Sequence, residues 1–371
     1  MFEYATGPAS AAAADCAPDA IACDDRKGVP VDNVNKVLAI DGNASVLLAC
    51  GSAGLGVCTA HHLPNVSHAR AMDAAHVPNL VGGAGSVVAF FAPAAYPPYD
   101  GRDVLYAGAT YDDRAEERLP ATVSSRQLRY GDESIRLDYA VDKATTLSYI
   151  DMLGEYRASY EILYVYGFSN KNFSYFLTVQ RVNLTSDIFE SRLARVCQND
   201  PTYFSYTEVP LECKRNGIDY QVAQAGFLGK AGVVLARDMP GVRAGDAILT
   251  IVFARSEQGS AVVAPQYGSA VCVFSLAEVE QKFYDAVQDC YLGAGAMLHW
   301  FVGSQSRCTR ADVDIEEAMC GSGLNYAIEG RDLISANPDV VFANELVTAV
   351  ATMVQRQTHG GVLDGHRRHY Q

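Results

Sequence analysis

A chain of 371 residues, 49% hydrophobic and 19% charged, has enough apolar material for a sizeable core and lacks the make-up of a disordered protein. Its formal net charge of −14 repels phosphate backbones and anionic lipid surfaces. Nucleic acid and a peripheral membrane role are thereby set aside, and a basic patch on a protein partner suits it better.

In chain order, residues 9–30 are rich in Ala, Asp, Pro and Gly and read as a loop holding Cys16 and Cys23. Val34 to Ala49 reads as two short strands about an Asp41-Gly42 turn, and Gly51 to Gly56 as a tight turn between Cys50 and Cys58. Val87–Phe91 and Val104–Ala109 are continuous apolar runs of strand length. Ile162–Phe168 and Phe173–Arg181 flank a Ser169-Asn170-Lys171-Asn172 turn. In the second of these, Phe173, Tyr175, Leu177 and Val179 share one face, the two-residue period of a strand. Ala247–Ala254 is apolar on both faces, as a central buried strand should be, and Ala270–Phe274 repeats the pattern. One helix interrupts the strands. Ser275 with Glu278 forms a capping-box pattern, Leu276, Val279, Phe283 and Val287 follow at helical spacing, and the helix should stop near Cys290. Strands do not alternate with long helices. The recurring unit is a strand-turn-strand of about 40 residues, the spacing of a propeller blade.

The cysteines and sequons speak to compartment. Ten cysteines form an even set with no CxxC pair, and about 945 pairings are open on spacing alone. Asn43-Ala44-Ser45, Asn65-Val66-Ser67, Asn172-Phe173-Ser174 and Asn183-Leu184-Thr185 are four glycosylation sequons. Each is a weak pattern alone, but with the cysteines they favour an oxidising, extracellular setting. Met1 is followed by neither a basic start nor an apolar run, and no stretch of about 18 apolar residues occurs. The sequence thus reads as a fragment of a longer precursor, without its signal peptide or transmembrane segment.

An ordered set of segments carries a family resemblance. Thr6-Gly7-Pro8, Asp32 to Leu38, Ala49-Cys50-Gly51-Ser52 and Gly56-Val57-Cys58 come first. Leu105 to Thr110, Ser124 to Leu128, Tyr164 to Phe168 and Tyr175 to Gln180 follow. The most specific stretch is Ser191-Arg192-Leu193-Ala194-Arg195-Val196-Cys197-Gln198-Asn199-Asp200-Pro201, running on to Pro210-Leu211-Glu212-Cys213. Ala270 to Phe274, Cys290 to Gly293 and Met319-Cys320-Gly321 complete it. Up to about residue 350 this order resembles the sema domain of the plexins.

The resemblance implies an all-β fold: a sema-type seven-bladed propeller of four-stranded sheets, here incomplete, from the last strand of the first blade to the start of the sixth. Residues 1–354 would be the partial sema domain and 355–371 an unstructured or aberrant tail. It implies the pairings Cys16–Cys23, Cys50–Cys58, Cys197–Cys320, Cys213–Cys272 and Cys290–Cys308. Closing a loop of about 100 residues is worth up to roughly 4.7 kcal/mol in the chain-entropy model, so Cys197–Cys320 would constrain the unfolded chain most. The implied role is an extracellular ligand-binding domain of a semaphorin receptor, on the outer face of the plasma membrane in the parent protein. Its partner would be a semaphorin, with a co-receptor or a second plexin as further candidates, in signalling such as axon guidance. Membrane attachment would come only through parts outside this chain.

No residue set argues for catalysis, a cofactor or a metal. The glycine runs lack the strand-before, helix-after context of a phosphate loop. His61 and His62 are adjacent on an extended segment, face opposite ways, and fit a surface loop better than a chelate. Asp24-Asp25, Asp112-Asp113 and the acidic stretch Asp312 to Glu317 read as solvated. Two rival readings stay open: a semaphorin or growth-factor-receptor sema domain, and an intracellular α/β enzyme, which would keep free thiols.

Overall fold

The computed structural model describes residues 32–354, apart from 53–55, 74–79, 82–84, 112–119, 144–145, 258 and 322, together with the short strand pair Ala9–Ser10 and Pro30–Val31. Cys16, Cys23 and the tail 355–371 lie outside the described residues.

Four antiparallel four-stranded sheets follow one another along the chain. The first holds β1 (Asn35–Asp41), β2 (Val46–Gly51), β3 (Cys58–His62) and β4 (Asn65–Met72). The second holds β5 (Val87–Pro93), β6 (Asp103–Ala109), β7 (Val123–Tyr130) and β8 (Ser134–Tyr139). The third holds β9 (Ile162–Asn170), β10 (Phe173–Arg181), β11 (Phe189–Cys197) and β12 (Thr207–Arg215). The fourth holds β13 (Val222–Lys230), β14 (Ala247–Ala254), β15 (Ser269–Ser275) and β16 (Pro338–Phe342).

The first strand of each sheet is the innermost. β5 packs against both β1 and β9, and β9 against β13, so the inner strands stand side by side around a common axis. The outer strands β4 and β8 run parallel, with Ala71 opposite Ser134 and Met72 opposite Ile135. This is a β-propeller arrangement, and its tight centre dictates residue choice. A Cβ on Gly167 of β9 would lie 2.4 Å from the Phe90 ring of β5, and one on Gly108 of β6 would lie 2.3 Å from Tyr164. Glycine is needed there because neighbouring blades approach more closely than any side chain allows.

Three apolar seams fill the spaces between sheets. Leu48, Leu105, Ile135 and Leu137 close the first on the second. Tyr106, Tyr164 and Phe176 close the second on the third. Leu193, Leu249, Ile251 and Phe253 close the third on the fourth. Fully burying such side chains gives about 1.5–3 kcal/mol each, which is why β14 is apolar on both faces.

The sixty-odd residues between β15 and β16 form an insertion that straps the outside of the sheets. It opens with α1 (Leu276–Tyr291), whose Val279 and Phe283 are buried in the seam between the third and fourth sheets. It then sends Leu298, Trp300 and Phe301 into the seam between the second and third. Finally Ile328–Glu329 and Ile334–Ala336 add in parallel to the free edge of β12. Beyond β16 the chain turns at residues 343–344 and is then tied to β15: the Glu345 carbonyl accepts a hydrogen bond from Ser269, whose Oγ also accepts from the Val347 amide.

Several sequence expectations change in detail. Ser275 is the N-cap residue of α1, but its side chain makes no capping hydrogen bond, so burial of the apolar face rather than a capping box sets the helix. His61 and His62 are on strand β3 rather than a loop. His61 is buried, its ring nitrogens hydrogen-bonded with Thr59 Oγ1 (2.7 Å) and the Val66 carbonyl (2.8 Å), while His62 is exposed on the other face. On the other face of β10, Ser174, Thr178 and Gln180 are fully buried, an environment on which the sequence made no statement. Asp314 caps the short helix Ile315–Ala318 by accepting from the Glu316 amide.

Candidate recognition surface

Because β4 and β8 run parallel and each sheet is antiparallel within itself, the two ends of the propeller carry different connections. The turns between first and second strands, and between third and fourth, share one end. Asn43 lies in the β1–β2 turn, Asn65 opens β4 directly after the β3–β4 turn, and Asn172 lies in the β9–β10 turn. All three sequons therefore sit at that end. Asn183, on the β10–β11 connection, sits at the other.

Their local geometry differs. Asn183 is exposed, and its Oδ1 accepts from both the Thr185 amide and the Thr185 hydroxyl at 3.0 Å. Asn65 is half-buried, and its Oδ1 accepts from the Ser67 amide at 3.1 Å. Asn43 is exposed, but its Nδ2 donates to Asp103 Oδ2 of the second sheet at 2.8 Å. Asn172 is exposed, while Ser174 of its sequon is fully buried and accepts from Gln198.

The end that carries Asn183 also presents apolar side chains on its connections. Ile188 is 52% exposed, Val262 60% and Ile218 41%. Ile188 lies over Gly259, and the Phe189 amide donates to the Gly259 carbonyl, so the connections of the third and fourth sheets are pinned together beneath these residues. Exposed branched side chains on a rigid base are suited to docking a protein, not to bond chemistry.

Four disulfides brace the scaffold. Cys50–Cys58 ties β2 to β3 with Cα atoms 4.0 Å apart. Cys213–Cys272 ties β12 of the third sheet to β15 of the fourth, 6.0 Å apart. Cys197–Cys320 fastens the end of β11 to the insertion, and Cys290–Cys308 closes a loop within it.

Two buried arginines carry weight that no local sequence pattern announces. Arg195 of β11 stacks between the rings of Phe173 and Phe283, 4.1 and 4.3 Å from their centroids. Burial lowers its pKa to about 10, against the opposing pull of Tyr175, its cross-strand neighbour. Arg192, three positions before Arg195 on the same strand and so on its other face, is ringed by carboxylates. It binds Glu190 at 2.7 Å, with Glu208 at 3.5 Å and Glu329 at 3.7 Å. Burial disfavours its charge, but Glu208, Glu190, Tyr160 and Glu329 together outweigh that and raise its pKa. Glu208 is fully buried, accepting from the Tyr206 hydroxyl (2.7 Å) and Gln180 Nε2 (2.9 Å); burial raises its pKa, with Arg192 opposing. Both arginines belong to the Ser191 to Pro201 stretch, so the resemblance pointed at the segment without disclosing that its cations are internal.

Among the described residues no three His, Cys, Asp or Glu side chains gather as metal ligands, and no helix is long and apolar enough to cross a membrane.

No family model matches the chain. Among curated proteins it is 32% identical to mouse plexin-A4 and 31% identical to human plexin-A2, each over 343 residues. These alignments take in 88% and 87% of the chain but 17% of each relative, so the chain spans about a sixth of their length. Among solved structures it is similar to the full extracellular region of plexin A4, with a TM-score of 0.81 and 29% identity over 95% of this chain and 39% of that one. The extracellular domains of Drosophila semaphorin 1a share the fold, at a TM-score of 0.51 and 16% identity over 91% of this chain and 62% of that one. The chain belongs to the plexin family, and its blades are those of the β-propeller sema region.

Proposed function

We propose that this chain is the ligand-binding sema region of a semaphorin receptor, placed outside the cell and acting by protein–protein recognition rather than catalysis. The likeness to the plexin A4 extracellular region over 95% of the chain carries this reading. The partner is a semaphorin, whose propeller docks against this one, and the output is signalling of the kind that guides axons. A co-receptor or a second plexin is a further partner at the same membrane face. Interfaces of this sort bury about 1,600 Å² and draw their energy from a few anchors.

On this reading residues 1–354 are one partial sema domain and 355–371 a separate tail. Glycans occupy Asn43, Asn65, Asn172 and Asn183, and Cys16 pairs with Cys23 alongside the other four bridges. The exposed Ile188, Ile218 and Val262 supply apolar docking surface at the end where only one of the four sequons lies.

Surface plasmon resonance between the chain, secreted from animal cells, and a panel of semaphorin ectodomains tests the proposal. Saturable binding to at least one semaphorin is expected, weakened by Ile188→Asp together with Val262→Asp. An oxidised, folded chain that binds none of the panel at micromolar concentration defeats the reading.

A further inference from the structure

The Arg192 cluster is put together from separate parts of the fold. Arg192 and Glu190 come from β11, Glu208 from β12, Tyr206 from the residue just before β12, Gln180 from β10, and Tyr160 from the segment before β9. The insertion contributes Glu329, 3.7 Å from Arg192, and Trp300, whose ring lies 5.5 Å from the guanidinium. Asp219, on the hairpin after β12, adds its charge to the side of Glu190. Three carboxylates therefore face one guanidinium, with a fourth nearby. Arg192 is 4% exposed and Glu208 is fully buried.

The arithmetic of such a site is unfavourable with every carboxylate charged. One cation offsets one anion, and the surplus anions repel one another where little water screens them. The repulsion does not fall evenly on the structure. Glu190 and Glu208 are fixed in the ladder of the third sheet, whereas Glu329 arrives on the insertion, where it joins β12 through a short parallel pairing at Thr207 and Glu208, between the further attachments at Cys197–Cys320 and Ile334–Ala336. The surplus charge thus works against seating the insertion, and through it against seating Trp300 on Tyr160, where the rings stack at 4.1 Å.

We propose that the Arg192 cluster is an acid-tightened clasp, which holds the insertion more firmly against the third sheet as its surroundings acidify. A proton taken from water by one carboxylate oxygen removes one surplus charge and leaves the guanidinium with its closest partner. Burial raises the pKa of Glu190 and of Glu208, with Arg192 opposing in both. A carboxylate raised in the folded state stabilises it fully below the unfolded carboxylate range, and that contribution is lost as pH climbs through the raised value. The clasp therefore tightens as pH falls through the raised value and loosens as pH climbs through it.

Hydrogen exchange of the oxidised chain, read by mass spectrometry and corrected for intrinsic rates, tests this between about pH 5.5 and about pH 7.4. Peptides covering 296–302 and 326–330 should exchange up to about tenfold more slowly at the lower pH, the size of one pKa unit, while peptides covering 35–51 stay unchanged. Glu329→Gln removes a surplus charge from a partly exposed position. It should give slow exchange at both pH values and abolish the pH dependence, and Glu190→Gln should reduce it. Equal protection of the insertion at the two pH values in the unaltered chain, or a pH dependence that survives both substitutions, overturns the proposal.

Discussion

Between the second and third sheets the core holds seven tyrosines, Tyr106, Tyr164 and Tyr203 among them, together with Trp300 from the insertion. Between the third and fourth sheets it holds two tyrosines among aliphatic and phenylalanine side chains, and the Cys213–Cys272 bridge crosses it. Both seams exclude water from a wedge-shaped gap, but they answer to different conditions. In the first, some of the hydroxyls find acceptors: Tyr99 donates to the Ala140 carbonyl at 2.7 Å, and Tyr160 to the Arg181 carbonyl at 2.7 Å. Its integrity depends on those protons staying in place. In the second, a covalent link holds the sheets in register, and the chemistry that threatens it is reduction.

The largest expected effect removes the insertion's anchor from the tyrosine seam. Trp300→Ala should cost about 3–5 kcal/mol, measured by urea denaturation followed by circular dichroism, because a large aromatic leaves a cavity that two sheets cannot collapse to fill. A cost below about 1 kcal/mol would mean the insertion only rests on the seam. Next, Cys213→Ser with Cys272→Ser should cost about 2–4 kcal/mol by the same measurement. The loss should appear in hydrogen exchange of β13 and β14 before that of β5 and β6. Uniform loss across all four sheets would erase the distinction between the seams. The smallest effect is alkaline. Burial pushes the Tyr96 hydroxyl up to about 12, the Ser125 hydrogen bond opposing. A hydroxyl raised in the folded state stabilises fully below its unfolded value of about 10, and that stability is lost as pH rises through the folded value. Thermal unfolding should therefore show a falling midpoint between about pH 10 and about pH 12, from a loss of up to about 2 kcal/mol of stability, with the tyrosine seam opening first. A midpoint flat across that window would contradict the assignment.

Much of the fold was legible because it obeys local rules. β10 and β14 have the bounds that their apolar patterning predicts, and Leu276, Val279, Phe283 and Val287 are all buried on α1. What local pattern could not give is the environment on the far side of each strand. Alternation puts Gln180 on the face of β10 opposite Phe173, Tyr175, Leu177 and Val179 but does not say what that face meets; it is fully buried because Glu208 and Tyr160 reach it from elsewhere in the fold. Arg192 and Arg195 sit in a buried strand where charge normally signals exposure, and the rings and carboxylates brought by neighbouring strands, by α1 and by the rest of the insertion explain them. The sequons were visible as patterns, but their division between two ends depends on strand direction, which spacing does not encode. The exposed Ile188, Ile218 and Val262 belong to connections whose exposure no periodicity foretells.

The long excursion between β15 and β16 also sets a timetable for assembly. When synthesis has delivered Ser275, the fourth sheet still lacks its outermost strand, and Cys197 still waits for Cys320. The edge of β12 stays bare until residues 328–336 emerge. Blades earlier in the chain can close as they leave the ribosome, but the last two must finish together, once more than 120 residues separate the sulfurs to be joined. That interval of uncovered edges is when a chaperone has most to do.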